Sequence, residues 1–224
     1  MAHAWIWKDT PPGVFSPMNP NVGEQEAAMN RILSLQILHW LWLVWILYWI
    51  GGAFRVRRTV HREPIGQRMG TITIMLAVAV LLGFVGWQLG ILDRRFVADG
   101  EAVRWAGLAL TVAGLAITVW ARIHLGQFWS ARVGLKEDHQ LIQSGPYAWV
   151  RHPIYTGILL AMAGTALAVG MWRALLAVAL AWLALMLKSR REEKLLSEKF
   201  GDQYVRYRQR TGALVPRVFG PVAG

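Results

Sequence analysis

Five stretches of the chain contain no Asp, Glu, Lys or Arg: 32–54, 71–92, 105–121, 154–172 and 174–187. A helix needs about 20 apolar residues to cross the hydrocarbon core of a bilayer. Runs of this kind exclude an ordinary soluble globule, which carries roughly 25% charge; this 224-residue chain has 17%. They predict an all-α integral membrane protein with five transmembrane helices, the last two forming a helical hairpin. The chain has no Cys. That excludes disulfide scaffolds and thiolate metal sites, and leaves the compartment open.

The net charge of +11 would suggest nucleic acid in a soluble protein. Its distribution argues against that. Segments 55–70, 122–153 and the tail from 188 hold eighteen basic and seven acidic residues. Segments 1–31, 93–104 and 170–173 hold six of each. The whole excess lies on one side of the five spans, as the positive-inside rule requires. The N-terminus is therefore expected outside, the C-terminus in the cytosol, and anionic lipid beside the basic loops. Pro11, Pro12, Pro17 and Pro20 interrupt any apolar run near the start, so residues 1–31 read as an extracytosolic segment rather than a signal peptide. Residues 32–124 then hold the first three spans. Residues 125–224 hold a long cytosolic loop, the hairpin and a cytosolic tail.

Small residues suggest where helices approach. Gly86 and Gly90 lie four apart in the second span, and Gly107 and Gly114 lie seven apart in the third. In the tail, Gly201 should stop the fifth helix. Tyr204, Tyr207 and Arg210, at spacing three, predict one side of a further helical stretch.

Taking Met171 as the tip of the hairpin, His152 lies 19 residues before it, and Glu192 and Glu193 lie 21 and 22 after. With a rise of about 1.5 Å per residue, the two sides differ in depth by roughly 5 Å or less. Arg151, His152, Glu192 and Glu193 should meet at the cytosolic mouth. The cationic half, with the N-terminus of the fourth helix, suits a carboxylate or phosphate. The anionic half suits an ammonium group or ribose hydroxyls. A zwitterion resembling an amino acid satisfies both. The plain alternative is a snorkelling Arg beside an ordinary surface Glu pair.

Two strings bear on that choice: Gly145-Pro146-Tyr147-x-x-Val150-Arg151-His152-Pro153-x-Tyr155-x-Gly157, and, some 35 residues on, Arg191-Glu192-Glu193. Together they resemble the isoprenylcysteine carboxyl methyltransferase family, which is related to membrane phospholipid methyltransferases. The resemblance runs from about Phe128 to Pro216. It implies an integral-membrane enzyme that uses S-adenosylmethionine. It implies cofactor contacts from His139, Leu141, Tyr147, Arg151, His152, Pro153, Tyr155, Glu192 and Glu193. The tail string with Tyr207 and Arg210 resembles the family's C-terminal segment, whose arginine is placed near the methyl acceptor; Glu193 completes the catalytic candidates. The implied acceptor is hydrophobic or lipid-attached, with the carboxyl of an isoprenylated cysteine as namesake. A small thiol and a phospholipid amine are the alternatives. For either, His124 or Glu193 would be the base. A non-catalytic lipid-binding scaffold is a reading from a different class.

Competing sites are weak in the residues themselves. None of the 22 Gly forms a Gly-x-Gly, so the soluble dinucleotide-type loop is absent. The six His show no i, i+4 pair and no carboxylate partner at ligand spacing, and no metal is expected.

Overall fold

The computed structural model describes residues 21–53, 77–79, 81–82, 89–126 and 141–217. Five α-helices lie among them: α1 (Asn21–Ala53), α2 (Glu101–Leu125), α3 (Pro153–Val169), α4 (Trp172–Phe200) and α5 (Asp202–Arg210). Three carry stretches long and apolar enough to cross a membrane: Ala28–Gly52, Glu101–Leu125 and Trp172–Phe200. α3 is apolar but has 17 residues, about 25 Å of helix. The described protein is an all-helical integral membrane protein.

α1 begins directly after Pro20, ahead of the charge-free stretch, because nothing beyond that proline interrupts a helix. Most of the second expected span lies outside the described residues. Residues 77–79 are helical, and Leu82 is buried with Met162, Ala166, Ala174, Ala177 and Ala181. The expectation that Gly90 packs against another helix is corrected. It opens a 3-10 turn, Gly90–Asp93, at φ +60°, and a Cβ there would meet nothing within 4 Å among the described residues. It is a turn glycine, tolerating a conformation that L side chains avoid.

The central seam joins α2 and α3. A Cβ on Gly107 would lie 2.6 Å from the Gly164 carbonyl oxygen, and one on Gly114 would lie 2.6 Å from that of Gly157. Small residues on both helices let the two backbones touch, which is how helices associate where water supplies little driving force. Thr111 sits in the seam, its hydroxyl bonding Gly107 O at 2.9 Å and Ala161 O at 3.2 Å. α1 crosses this pair. Trp42 Nε1 donates to Thr165 Oγ1 at 3.0 Å, and Trp45 Nε1 donates to Thr118 Oγ1 at 2.6 Å. Trp40 faces outward, 64% exposed. The aromatic run thus divides between the bundle and its surroundings.

α3 ends at Gly170 in the left-handed region, φ +71°, and α4 begins two residues later. The reversal is braced by residues 94–96: Phe96 N donates to Gly170 O at 2.9 Å and Trp172 N donates to Arg94 O at 3.1 Å. α4 runs unbroken for 29 residues, about 43 Å, so its end projects well past its charge-free portion. Gly201, at φ +50°, breaks it and starts α5. The chain then turns back across the start of α3, with Arg151 N donating to Gly212 O (2.9 Å) and His152 N to Ala213 O (3.1 Å).

Candidate functional site

The hairpin places the start of α3 beside the far end of α4. Pro153 occupies the first helical position, where a missing N–H costs nothing. His152 is the N-cap, and its side chain makes no capping hydrogen bond. Thr156 Oγ1 donates to Leu214 O at 2.6 Å, so the returning tail is fastened to the first turn of α3.

Four charged side chains close on one another here. Arg151 Nε donates to Glu193 Oε1 at 2.8 Å. Its Nη1 reaches the carbonyl oxygens of Thr211 and, at 3.4 Å, Arg208. His152 lies between two carboxylates, with Nδ1 3.4 Å from Glu192 Oε2 and Nε2 3.3 Å from Glu193 Oε1. Only the imidazolium can donate from both nitrogens. Burial alone would lower the His152 pKa; hydrogen bonds to Glu192 and Glu193 outweigh burial and raise it above the ordinary value. The remaining Glu192 oxygen accepts from Tyr155 Oη at 2.6 Å. The Tyr155 ring stacks on His152, centroids 5.4 Å apart and 6° from parallel. The side chains of Arg151 and Glu193 are only 10% and 13% exposed, which favours tight pairing over separate hydration.

The other expected site residues are spread around this cluster. Tyr147 is buried in the 3-10 turn Gly145–Ala148, and its carbonyl accepts from Tyr207 Oη at 2.7 Å. Burial pushes both phenols up, so both stay protonated. Leu141 is half-buried on the approach to that turn. His139 lies outside the described residues. His124 stacks against Tyr147 with centroids 6.4 Å apart, and its Nε2 is 2.9 Å from Ser144 Oγ.

Arg210 is exposed, and the ion pairs of the cluster among the described residues do not include it. The tail arginine that approaches Glu193 is Arg208, its Nε 3.7 Å from Oε2. Spacing three drifts round a helix, whereas positions 204, 207, 208 and 211 follow the i, i+3, i+4, i+7 row that shares a face. Tyr204, Tyr207 and Thr211 are buried along that row. Reading the tail at that period would have picked out Arg208. Nothing in the residue pattern signals the carbonyls of 211–214, which any sequence would supply.

The sequence profile of the isoprenylcysteine carboxyl methyltransferase (ICMT) family matches residues 107–198. Protein-S-isoprenylcysteine O-methyltransferase B of Arabidopsis thaliana is 32% identical over 154 residues, 66% of this chain and 71% of its own length. The chain belongs to the isoprenylcysteine carboxyl methyltransferase family. The Schizosaccharomyces pombe protein-S-isoprenylcysteine O-methyltransferase is 34% identical over 101 residues, which is 44% of this chain and 43% of that one. The chain spans half or less of several of the curated relatives it resembles. A solved eukaryotic intramembrane Ras methyltransferase of the ICMT family overlaps 72% of the chain and 56% of its own, at 23% identity and a TM-score of 0.43. The ICMT match spans the α2–α3 seam and the charged cluster and stops before α5. Arg208 and the returning tail therefore belong to the site by geometry.

The donor set suits a small zwitterion. With His152 protonated, Arg151, His152, Glu192 and Glu193 sum to zero charge. A ligand with one carboxylate and one ammonium group can exchange with these pairs and leave no net buried charge.

Proposed function

We propose that this chain is an integral-membrane methyltransferase that moves a methyl group from S-adenosylmethionine to a hydrophobic or lipid-attached carboxylate such as that of isoprenylcysteine. The observation that carries this reading is the closed cluster of Arg151, His152, Glu192 and Glu193 at the mouth of the α3–α4 hairpin, in a chain of the ICMT family. When bound, S-adenosylmethionine supplies a methyl group activated by a sulfonium for direct displacement. Arg151 and His152 would hold its carboxylate, and Glu192 and Glu193 its ammonium. Pro153, Tyr155, Tyr147, Leu141 and His139 would line the rest of the pocket.

A carboxylate acceptor is already a nucleophile and needs no base. The chain's contribution is then to orient it and strip its water. Arg210 is the candidate to hold it bidentately, and Tyr207, anchored on Tyr147, keeps the tail in place. If the acceptor is a thiol or an amine, a proton must be removed. The His124–Ser144 pair supplies a base at the same end of the bundle, with Glu193 as the other candidate. We read the topology as five spans with the N-terminus outside and the site at the cytosolic face, on the strength of the one-sided charge. The cofactor would enter from the cytosol and the lipid sideways between helices.

Transfer of labelled methyl from S-adenosylmethionine to a panel holding a farnesylated cysteine analogue, phosphatidylethanolamine and a small thiol tests this. Label on the farnesylated carboxylate is the expected result. Label on the thiol or amine alone would move the acceptor class. No label, together with no binding of S-adenosylhomocysteine, would leave the scaffold reading.

A further inference from the structure

Tyr204 is the largest fully buried side chain among the described residues, with 0% exposure. Its hydroxyl is a buried polar atom with no hydrogen-bond partner among the described residues. Tyr207, one turn on, bonds the Tyr147 carbonyl; the two rings sit edge to face with centroids 6.0 Å apart. So the inward row of α5 carries two phenols, one satisfied and one not. An orphaned buried hydroxyl is costly and uncommon, and it calls for a partner.

The surroundings say what kind of partner. Arg208, one turn on along the same row of α5, has its Nε 3.7 Å from Glu193 Oε2, so this row faces the tail side of the cluster, and Glu193, Arg151, Tyr207 and Arg208 all act on the Tyr204 hydroxyl. Burial raises its pKa, so it is a neutral donor at any working pH. Arg151 already uses three of its five N–H groups there: Nε donates to Glu193, and Nη1 to the Thr211 and Arg208 carbonyls. Two of those three acceptors are backbone atoms that hold the tail and would keep their claim. A carboxylate has about four lone-pair sites, more than the two N–H groups of Arg151 Nη2 can fill, so a ligand carboxylate entering at Arg151 can take a further donor nearby. We propose that the Tyr204 hydroxyl is a binding group of this site, donating to the carboxylate of the amino-acid end of the methyl donor. This rests on the proposed function and adds a contact from α5, beyond the end of the stretch that the ICMT profile matches.

Calorimetry on detergent-purified full-length chain tests it with two probes. S-adenosylhomocysteine carries the amino-acid end; 5′-methylthioadenosine has the same nucleoside and lacks that end. Tyr204→Phe keeps the ring and removes an unsatisfied group, so its thermal unfolding midpoint should hold or rise. It should bind S-adenosylhomocysteine about tenfold more weakly than the wild type, the usual size of one hydrogen bond to a charged group. It should bind 5′-methylthioadenosine unchanged. Equal affinity of both proteins for S-adenosylhomocysteine would overturn the assignment. Equal weakening toward both probes would also overturn it, because that marks a packing role. A wild type that binds neither probe would overturn the proposed function along with it. Should Tyr204→Phe not fold, Tyr204→Met is the second variant, read against the same two probes with the same criteria.

Discussion

His152 meets a carboxylate at each ring nitrogen, and that fixes how the cluster responds to pH. Its pKa is raised on folding, so the stabilisation it contributes is complete below the free-imidazole value of about 6.5 and is lost as pH rises through the raised midpoint. The thermal unfolding midpoint should therefore fall as pH is taken upward from about 6.5, and His152→Gln should remove that component. An identical pH profile in the variant would show that His152 does not titrate in this way. Glu193 accepts from Arg151 and His152 at once. Glu193→Ala leaves both cations without that acceptor. The expected cost is about 3 kcal/mol of stability, the lower end for a broken buried pair, because Glu193 also faces the half-exposed Arg208. The same variant should lose most affinity for S-adenosylhomocysteine. A variant as stable as the wild type in thermal unfolding would mean that the pair is hydrated and weak.

At the scale of elements, the α2–α3 seam is the rigid part. A side chain at Gly114 would run into the backbone of α3 at Gly157 and Ala161, and backbone cannot move aside as a flexible side chain can. Gly114→Val should destabilise by about 1–3 kcal/mol or more, as overpacking does. Gly51, on α1, offers the contrast: among the described residues nothing lies within 4 Å of a Cβ there. Gly51→Ala should be neutral or stabilise by up to about 1 kcal/mol through helix propensity. Thermal unfolding of the two variants side by side reads this directly, and equal effects would mean that the seam is loose. The Gly107–Gly114 spacing was legible in the sequence as a packing face. Its partner was not, because spacing within one helix carries no information about which other helix presents matching small residues.

For the whole molecule, the decisive geometry is a hairpin whose two arms bring residues some forty apart in the chain into hydrogen-bond contact. The proposed five-span topology can be checked because the chain has no Cys. Single-cysteine variants Ala98→Cys and Gln203→Cys should differ toward a membrane-impermeant maleimide applied to intact cells. Ala98→Cys should label from outside, and Gln203→Cys only after the membrane is opened. Labelling of both from the same side would remove the proposed topology while leaving the cluster intact.

The residue pattern by itself determined the helical class, the site of the reversal near Gly170 and Met171, and the meeting of Arg151 and His152 with Glu192 and Glu193. These follow from rise per residue, from the free energy of placing charge in hydrocarbon, and from the conformational freedom of glycine, all of which act locally along the chain. Tertiary structure decided which tail side chains face that cluster, that the carbonyls of 211–214 close over the start of α3, and that the Tyr204 hydroxyl is left without a partner among the described residues. Those outcomes depend on how one helix is rotated against another. That rotation is set by close packing across the molecule, to which a one-dimensional spacing is blind.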